Sequence, residues 1–349
     1  MDKKKKIGIA GYGIIGRRRH DVINQNKYLE VVSACDKEFI DISTKKDDFT
    51  HYQDYQSMID NQDLDAVFVC MSNDIAAEVT IACLKQGIDV FCEKPPGINV
   101  EQVRDIIAAE ASNPGTKLMY GFNHRYHDAV IEALRICKSN ELGKIINLRG
   151  VYGKARLITF NQTDWRTKRE LAGGGVLLDQ GIHMVDLMRL FGGEFTDVKS
   201  FISNSYWGYD VEDNAYAIMR TEDGVVGMIH SSATQWEHKF NLDITLEKGS
   251  LNLGGILTST KSYGDETLTV TWAEEDDVKG SPNKQTNKFN SDLSWKREVD
   301  LFADILNDTI CDNGYAGSKD ALKTMSLVFD IYYSDKEWRE YYNIKNPRG

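Results

Sequence analysis

The length of 349 residues favours two folded domains, because it exceeds what one small core accommodates. A hydrophobic fraction of 41% and a charged fraction of 27% are typical of globular proteins and exclude a disordered or fibrous chain. The formal net charge of −11 opposes binding to nucleic acid and to anionic lipid, so we expect neither kind of partner.

The sequence begins with four lysines at positions 3–6 and an apolar segment, which superficially resembles a secretory signal. Glycines interrupt that segment, and Arg17, Arg18 and Arg19 follow it in place of a cleavage site. No other apolar run approaches the ~18 residues that a membrane span needs. The six cysteines are scattered without a CxxC pair, which favours a reducing compartment. We therefore expect a cytoplasmic protein that does not span a membrane.

The first third of the chain alternates short apolar runs with segments of helical periodicity. The runs are KIGIAG, EVVSACD, AVFVCM, DVFCEK and KLMYGF. The segments 76–86 and 100–111 place apolar residues at helical spacing. This rhythm predicts βαβ units around a parallel sheet, and we assign residues 1–123 to a first domain.

The remaining sequence, residues 124–349, changes to a β-rich pattern that begins after a predicted helix at 129–138. The predicted strands lie within KIINLRGVY, DVKSFISNSYW, NAYAIMR, VVGMIHSSA, FNLDITLEKGSLNL and ETLTVTW. Turn residues separate several of them, which predicts an open, mainly antiparallel sheet. The polar stretch 274–290 is interpreted as a mobile surface loop. Two helices, at 295–310 and 318–342, end the chain, and we expect them to pack back towards the first domain.

The motif GYGIIG follows the first predicted strand and begins the first predicted helix. Its glycines, Gly11, Gly13 and Gly16, have the spacing of a dinucleotide-binding turn. The first glycine permits the tight turn, the second lets the backbone approach a pyrophosphate, and the third allows close packing of helix and sheet. The turn residues Tyr12, Ile14 and Ile15 complete the predicted cofactor contacts here.

Asp36 ends the second predicted strand, twenty residues after the last glycine of the motif. A carboxylate at this place accepts hydrogen bonds from both ribose hydroxyls of an adenosine and repels a 2′-phosphate. We therefore predict NAD as the cofactor, although Lys37 beside it keeps NADP as a less favoured alternative. The arginines that follow the glycine motif are interpreted as a solvated helix face.

Taken together, several motifs make the chain resemble the family of glucose–fructose oxidoreductase, inositol dehydrogenase and the rhizopine-catabolism protein, abbreviated Gfo/Idh/MocA. They are GYGIIG, the strand-end Asp36, the tripeptide Glu93-Lys94-Pro95, the segment GFNHRYHDAV from Gly121, and GGGVLLDQGIHMVDL from Gly173. The resemblance spans nearly the whole chain. It implies an α/β protein, in which an N-terminal Rossmann domain with a doubly wound parallel sheet precedes a C-terminal α/β domain with an open, mainly antiparallel sheet.

The same resemblance implies an enzyme that oxidises or reduces a hydroxyl of a sugar, sugar acid, inositol or nucleotide sugar. It implies that Lys94 bonds the reacting hydroxyl and the region of the nicotinamide, and that His183 accepts the proton. Asp179 is then expected to lie near His183 and the substrate. The remaining cofactor contacts that we predict are Ser72, Asn73, Glu93, Lys94 and Asn123. Relatives commonly carry Thr-Pro-Asn where this chain has Met71-Ser72-Asn73, and a histidine where it has Ala76, so details of nicotinamide packing differ.

The chemistry of these residues agrees with the resemblance. Hydride leaves a carbinol carbon easily only if the hydroxyl proton is removed, and a histidine is a suitable base. Asp179 and His183 are four residues apart, so a helix places both on one face. The glycines at 173–175 indicate backbone lying close to a ligand. The alternatives are that His183 is a core histidine of an amphipathic helix and that Lys94 is a surface lysine before a turn.

Aromatic and guanidinium groups in the second domain suit a polyhydroxylated substrate, because rings cover sugar faces and arginine binds carboxylate or phosphate. The predicted substrate contacts outside the catalytic set are Tyr152, Arg156, Trp165 and Arg166, and each has a structural alternative. Tyr152 is also the next candidate for the base. No HxH or HExxH spacing occurs, so we predict no metal site.

Two other functions stay open at this point. One is a redox-neutral enzyme that holds NAD tightly, such as a glycosidase or a sugar-interconverting enzyme. The other is a non-catalytic NAD-binding sensor, against which the presence of Lys94, Asp179 and His183 argues. An open sheet would expose a face and edges, so we expect a homodimer or homotetramer.

Overall fold

A computed structural model of the protein describes residues 4–39, 49–157, 164–273, 282–310 and 314–349. The chain forms two compact units. The first comprises Met1–Phe122 and Trp295–Lys323, and the second Asn123–Ser294 and Thr324–Gly349. The first unit thus also takes in a late segment that the sequence-based division gave to the second domain. Among the described residues, no helix has the length and hydrophobicity needed to cross a bilayer.

In the described part of the first unit, six strands form one parallel sheet. They are β1 (Lys5–Ala10), β2 (Leu29–Cys35), β3 (Thr50–Tyr52), β4 (Ala66–Val69), β5 (Asp89–Glu93) and β6 (Leu118–Gly121). The order β3-β2-β1-β4-β5-β6 reverses between β1 and β4, which is the doubly wound Rossmann arrangement. The five predicted runs are confirmed as strands, and β3 is an additional short one.

Helices connect these strands. They are α1 (Ile14–Ile23), α2 (Tyr55–Asn61), α3 (Asn73–Lys85) and α4 (Val100–Ser112). Both predicted crossover helices are present as α3 and α4. Side-chain caps define where α2 and α4 begin. Asp54 accepts from the Ser57 N–H at 2.7 Å, and Asn99 accepts from the Gln102 N–H at 2.8 Å.

In the described part of the second unit, eight strands form one sheet in the order β14-β13-β12-β11-β7-β10-β9-β8. They are β7 (Ile145–Gly153), β8 (Phe195–Ser203), β9 (Asn214–Thr221), β10 (Val226–Ser232), β11 (Lys239–Leu246), β12 (Gly249–Gly254), β13 (Glu266–Trp272) and β14 (Lys284–Phe289). All neighbours are antiparallel except β7 and β10, which run parallel. The predicted open, mainly antiparallel sheet is confirmed.

The interpretation of 274–290 as a loop is wrong for Lys284–Phe289, which is strand β14 at the sheet edge. Its side chains are polar and exposed except for the partly buried Phe289 at its end, so the alternation that marks a half-buried strand is missing. Residues 274–281 of that predicted loop lie outside the described residues.

The other helical elements follow in chain order. They are a 3₁₀ turn at Asn123–Tyr126, α5 (Asp128–Ser139), a 3₁₀ turn at Asp164–Thr167, α6 (Arg169–Ala172), a π-helical turn at Leu177–Gly181, α7 (Ile182–Gly192), α8 (Ser294–Leu306), α9 (Ser318–Ser334) and α10 (Lys336–Tyr341). The last predicted helix is in fact two, because Asp335 leaves the helical conformation and caps α10 through the Trp338 N–H. Its other carboxylate oxygen accepts from the Ile202 N–H at 2.8 Å.

Candidate active site

The glycine turn after β1 has the three properties that a dinucleotide site needs. Gly11 has φ +91°, and a Cβ there would lie 2.6 Å from the Cys70 carbonyl oxygen. A Cβ on Gly16 would lie 2.0 Å from the Gly11 carbonyl oxygen, so only glycine allows this contact. A Cβ on Gly13 would meet no atom within 4 Å. The turn is therefore tight at two glycines and open at the one where a pyrophosphate would approach.

Asp36 follows β2 and lies against the glycine turn. Its Oδ2 accepts from the Tyr12 N–H at 2.9 Å and its Oδ1 from the Glu38 N–H at 3.0 Å. These contacts hold the carboxylate beside the turn, where a ribose would lie. Lys37 is exposed next to it. The exposed Ile14 and Ile15 begin α1.

The arginines after the glycine turn are not all solvated, and that prediction is wrong for Arg19, which is fully buried. Its guanidinium donates to the Glu93 carboxylate at 2.7 Å and to the Glu298 carboxylate at 2.6 Å. It also lies over the rings of Phe91 and Trp295. Burial by itself lowers the pKa of Arg19, but the two carboxylates outweigh burial and raise it. Glu93 therefore contributes a buried ion pair beside the predicted catalytic lysine.

Other predicted cofactor contacts lie at the carboxyl ends of β4 and β5. Ser72 precedes α3, and Asn73 is the buried first residue of that helix. Lys94 follows directly after β5 and is half-buried. Parallel sheets bind ligands at this edge. Asn123 belongs to the second unit, where its amide donates to the Ser294 hydroxyl at 3.2 Å, and its contact with cofactor stays a prediction.

In the second unit, Asp179 and His183 lie on one continuous helical segment. Asp179 is in the π-helical turn, and His183 is the second residue of α7. Single π-helical turns inside helices are frequent at functional sites. His183 is 4% exposed, whereas the Asp179 side chain is 22% exposed.

The glycine run before this segment is packed closely by protein atoms at Gly174 and Gly175, and its nearness to a ligand stays a prediction. A Cβ on Gly175 would lie 2.1 Å from the Glu212 carbonyl oxygen, and one on Gly174 would lie 2.3 Å from the Tyr332 hydroxyl. The buried Glu212 carboxylate accepts from the N–H groups of Gly175 and Leu177 and from the Tyr332 hydroxyl. These bonds fix the start of the segment that carries Asp179.

The imidazole of His183 stacks on that of His124, with ring centroids 3.8 Å apart and planes 13° from parallel. His124 Nε2 bonds the Tyr152 hydroxyl at 2.9 Å, and Tyr152 is hydrogen-bonded in turn to Tyr263. Burial raises the pKa of Tyr152 well above its ordinary value. Tyr152 is therefore a neutral phenol at neutral pH, which argues against its service as an alternative base.

Asp179 lies beside two cations. The ammonium of Lys154, a buried residue, is 3.3 Å from Asp179 Oδ2, and Arg166 Nε is 3.9 Å from Oδ1. Arg166 also lies over the Trp165 ring, 4.2 Å from its centroid, while Arg156 is exposed. Sequence reasoning missed Lys154 and His124. The available signals were a lysine directly after a predicted strand and a histidine inside the GFNHRYHDAV motif.

Other charged residues of that motif have structural partners. Arg125 binds the Asp186 carboxylate with two donors, one of them at 2.7 Å, and both residues are buried. His127 Nδ1 bonds Glu266 at 2.7 Å, and Glu266 also accepts from the Ala129 N–H. These pairs tie the start of α5 to α7 and to the sheet, which positions His124 on His183.

A Rossmann unit with a glycine turn and a strand-end aspartate, joined to a unit with an aspartate–histidine pair, defines the class of nicotinamide-dependent oxidoreductases. Residues 5–122 match the model of the oxidoreductase family with NAD-binding Rossmann fold. Residues 130–252 match the model of the GFO/IDH/MocA C-terminal domain. The chain belongs to the Gfo/Idh/MocA family of NAD-binding oxidoreductases, as its motifs predicted.

Relatives with this architecture act on cyclic polyols and sugars, according to their names. Inositol 2-dehydrogenase of Salmonella paratyphi B is 26% identical over 256 residues, which is 71% of this chain and 73% of that protein. D-Glucoside 3-dehydrogenase of Escherichia coli K12 is 29% identical over 255 residues, or 68% and 71% of the two chains. The structure of levoglucosan dehydrogenase in complex with NADH superposes with a TM-score of 0.81, at 19% identity, covering 96% of this chain and 98% of that one.

Proposed function

We propose that this enzyme is an NAD-dependent dehydrogenase that oxidises a ring carbinol of a sugar, sugar acid, inositol or nucleotide sugar. The observation that carries the proposal is a buried histidine, His183, on the same helical segment as Asp179, whose carboxylate is held 3.3 Å from the Lys154 ammonium. A hydroxyl bound there can lose a proton to the histidine. The names of the relatives support the substrate class. The buried free thiols of Cys35, Cys83 and Cys92 agree with a reducing, cytoplasmic compartment.

The residues of the first unit fit the cofactor. The open position at Gly13 leaves room for the pyrophosphate, and Asp36 is held where it can accept hydrogen bonds from the ribose. When bound, NAD supplies the acceptor for the hydride that leaves the carbinol carbon. Lys94 is assigned to the substrate oxygen, where its charge stabilises developing negative charge.

His183 is assigned to accept the hydroxyl proton as the carbon–oxygen double bond forms. Asp179 orients the substrate or the imidazole, and the Lys154 ammonium, 3.3 Å from its Oδ2, holds that carboxylate in place. The stacked His124 holds the His183 ring, because it is itself bonded to Tyr152 and to the Asn123 side chain. The imidazole of His183 is therefore oriented before the substrate binds, so no ordering of this side chain is needed during the reaction.

The test is a screen of NAD reduction against free sugars, inositols, sugar acids and nucleotide sugars. Formation of NADH in proportion to substrate consumed supports a dehydrogenase. Product formation without net NADH would instead indicate the redox-neutral enzyme. Tight NAD binding with no reaction across all four classes would favour a sensor.

We expect NAD to bind more tightly than NADP, because the Asp36 carboxylate repels a 2′-phosphate. Asp36→Ser should raise the affinity for NADP relative to NAD by about tenfold, corresponding to about 1.4 kcal/mol. Dissociation constants of the native protein and the variant, measured by fluorescence titration with NADH and NADPH, check this. Lys85→Ala, which removes an exposed lysine from the last turn of α3, is the control and should leave the ratio nearly unchanged. An unaltered ratio in Asp36→Ser would place the ribose elsewhere.

We further propose that the open face of the second unit's sheet binds another copy of the chain. Exposed apolar side chains occupy this face on the adjacent strands β8, β9 and β10. They are Phe201 (80% exposed), Tyr216 (48%), Ile218 (57%), Val226 (39%) and Met228 (41%). The register places Phe201 opposite Tyr216, and Met228 opposite Ile218, so the patch is continuous across strands.

Light scattering or sedimentation at micromolar concentration should therefore give at least twice the chain mass of 39.5 kDa. Ile218→Asp should shift the protein towards the monomer, since a charge in an apolar interface loses its hydration. Tyr341→Asp, at an 82% exposed position on α10, is the matched control and should leave the mass unchanged. A native protein that sediments at 39.5 kDa contradicts the proposal.

A further inference from the structure

Two loops of the second unit leave the sheet at the end where Lys154 lies. Lys154 comes directly after β7, whose last residue, Gly153, pairs with Ser232 at the end of β10. Ser232 also pairs with Asn214 at the start of β9, and Asn214 pairs with Ser203 at the end of β8. The loops 204–213 and 233–238 therefore emerge at the same end of the sheet as Lys154.

These loops carry an aromatic cluster made of Tyr206, Trp207 and Trp236. The ring centroid of Tyr206 is 5.0 Å from that of Trp207 and 5.0 Å from that of Trp236, in edge-to-face arrangements. Trp207 is anchored, because its indole N–H donates to the Ala233 carbonyl at 2.9 Å and its ring packs on a buried apolar cluster that includes Leu157. Tyr206 and Trp236 are 59% and 61% exposed.

Trp236 combines its exposed side chain with an unusual backbone conformation. Its φ of +58° lies in the left-handed region, which is unfavourable for a bulky side chain. Such backbone conformations concentrate at functional sites, where surrounding contacts maintain them. Here a strained residue presents an indole to solvent, which hydrophobic burial does not explain.

Hydrogen bonds connect the cluster to the candidate active site. Gln235, the residue before Trp236, donates its N–H to the Lys154 carbonyl at 3.2 Å. The Lys154 ammonium lies 3.3 Å from Asp179 and 3.4 Å from the Leu157 carbonyl oxygen. One lysine thus joins the aromatic loops to the aspartate beside the predicted base.

We propose that Tyr206 and Trp236 form a subsite for a second, non-reacting pyranose ring of the substrate, which is then a glycoside or a disaccharide. Exposed aromatic rings cover the apolar face of a pyranose, and their edge-to-face arrangement offers faces in two directions. Polar residues that can bind its hydroxyls flank Trp236 in the same loop, namely Gln235, Glu237 and His238. The inference rests on the proposed function, because it assumes that the first ring reacts at the aspartate–histidine pair.

The test uses isothermal titration calorimetry in the presence of NAD, so that binding is measured apart from turnover. Methyl α- and β-D-glucopyranoside serve as one-ring probes, and maltose and cellobiose as two-ring probes. We expect at least one two-ring probe to bind about tenfold more tightly than the one-ring probe of the same anomer, the size expected for an aromatic contact. Trp236→Ala should remove that preference and leave one-ring binding unchanged.

Tyr341→Ala, an exposed aromatic residue on α10, is the matched control and should keep the preference. Equal binding of one-ring and two-ring probes by the native protein overturns the subsite. A preference for two-ring probes that survives in Trp236→Ala also overturns the subsite. If Trp236→Ala instead forms a smaller oligomer than the native protein, the aromatic cluster binds a second copy of the chain, and the subsite is overturned as well. A two-ring preference in a protein that reduces no NAD with any sugar would refute the proposed function while the subsite stands.

Discussion

Replacing His183 by alanine is expected to lower turnover by about 10²–10⁴, the usual contribution of general acid–base catalysis. The expectation rests on its place on the helical segment that carries Asp179 and on its stacking against His124. NAD affinity should be nearly unchanged, because the glycine turn and Asp36 lie in the other unit. Steady-state kinetics with the substrate found in the screen, and titration with NADH, measure the two effects.

His183→Asn is the more conservative companion, because it keeps a polar group in the buried position. It should lose turnover to a similar extent while its thermal midpoint stays near that of the native protein. In both variants the acidic limb of the kcat/KM profile should disappear, since protonation of the base no longer limits the reaction. Near-native turnover with the same acidic limb would show that another residue is the base. The raised pKa of Tyr152 makes that residue a poor substitute.

Replacing Arg19 by methionine is expected to reduce the free energy of unfolding by about 3–5 kcal/mol, because the loss of one partner leaves buried charge uncompensated. Arg19 and Glu298 are both fully buried, and the guanidinium also contacts Glu93 and the rings of Phe91 and Trp295. Methionine keeps the length and apolar volume of the stem but provides no charge. Urea unfolding followed by circular dichroism measures the change.

Arg17→Met is the matched control, two residues away on α1. Arg17 is exposed and donates to the Tyr12 carbonyl at 3.1 Å, so its loss should change stability by less than about 0.5 kcal/mol. Adding Glu298→Gln to Arg19→Met should recover part of the loss, since it removes one of the charges left without a counterion. Equal stability of the Arg19 and Arg17 variants would show that the buried ion pairs contribute nothing net.

Local patterns in the sequence were enough to predict most of the strands and helices. The apolar runs and the helical segments between them predicted five of the six parallel strands in the described first unit. Periodicity failed at β14, where five of the six side chains are polar and exposed, and at β3, which has only three residues. Both strands depend on a neighbouring strand for their hydrogen bonds, which a local pattern does not report.

By itself the sequence determined the dinucleotide turn, the strand-end Asp36 and the four-residue spacing of Asp179 and His183, because each depends on residues close together or on backbone conformation. Only the tertiary structure decided that Lys154 contacts Asp179, that His124 stacks on His183 and that the Gly175 N–H donates to Glu212. It likewise decided that Arg19 is buried between Glu93 and Glu298. The partners in these contacts lie between 25 and 279 positions apart along the chain. Burial and pairing of charge across such separations are set by the packing of whole elements, which periodicity and motif spacing do not encode.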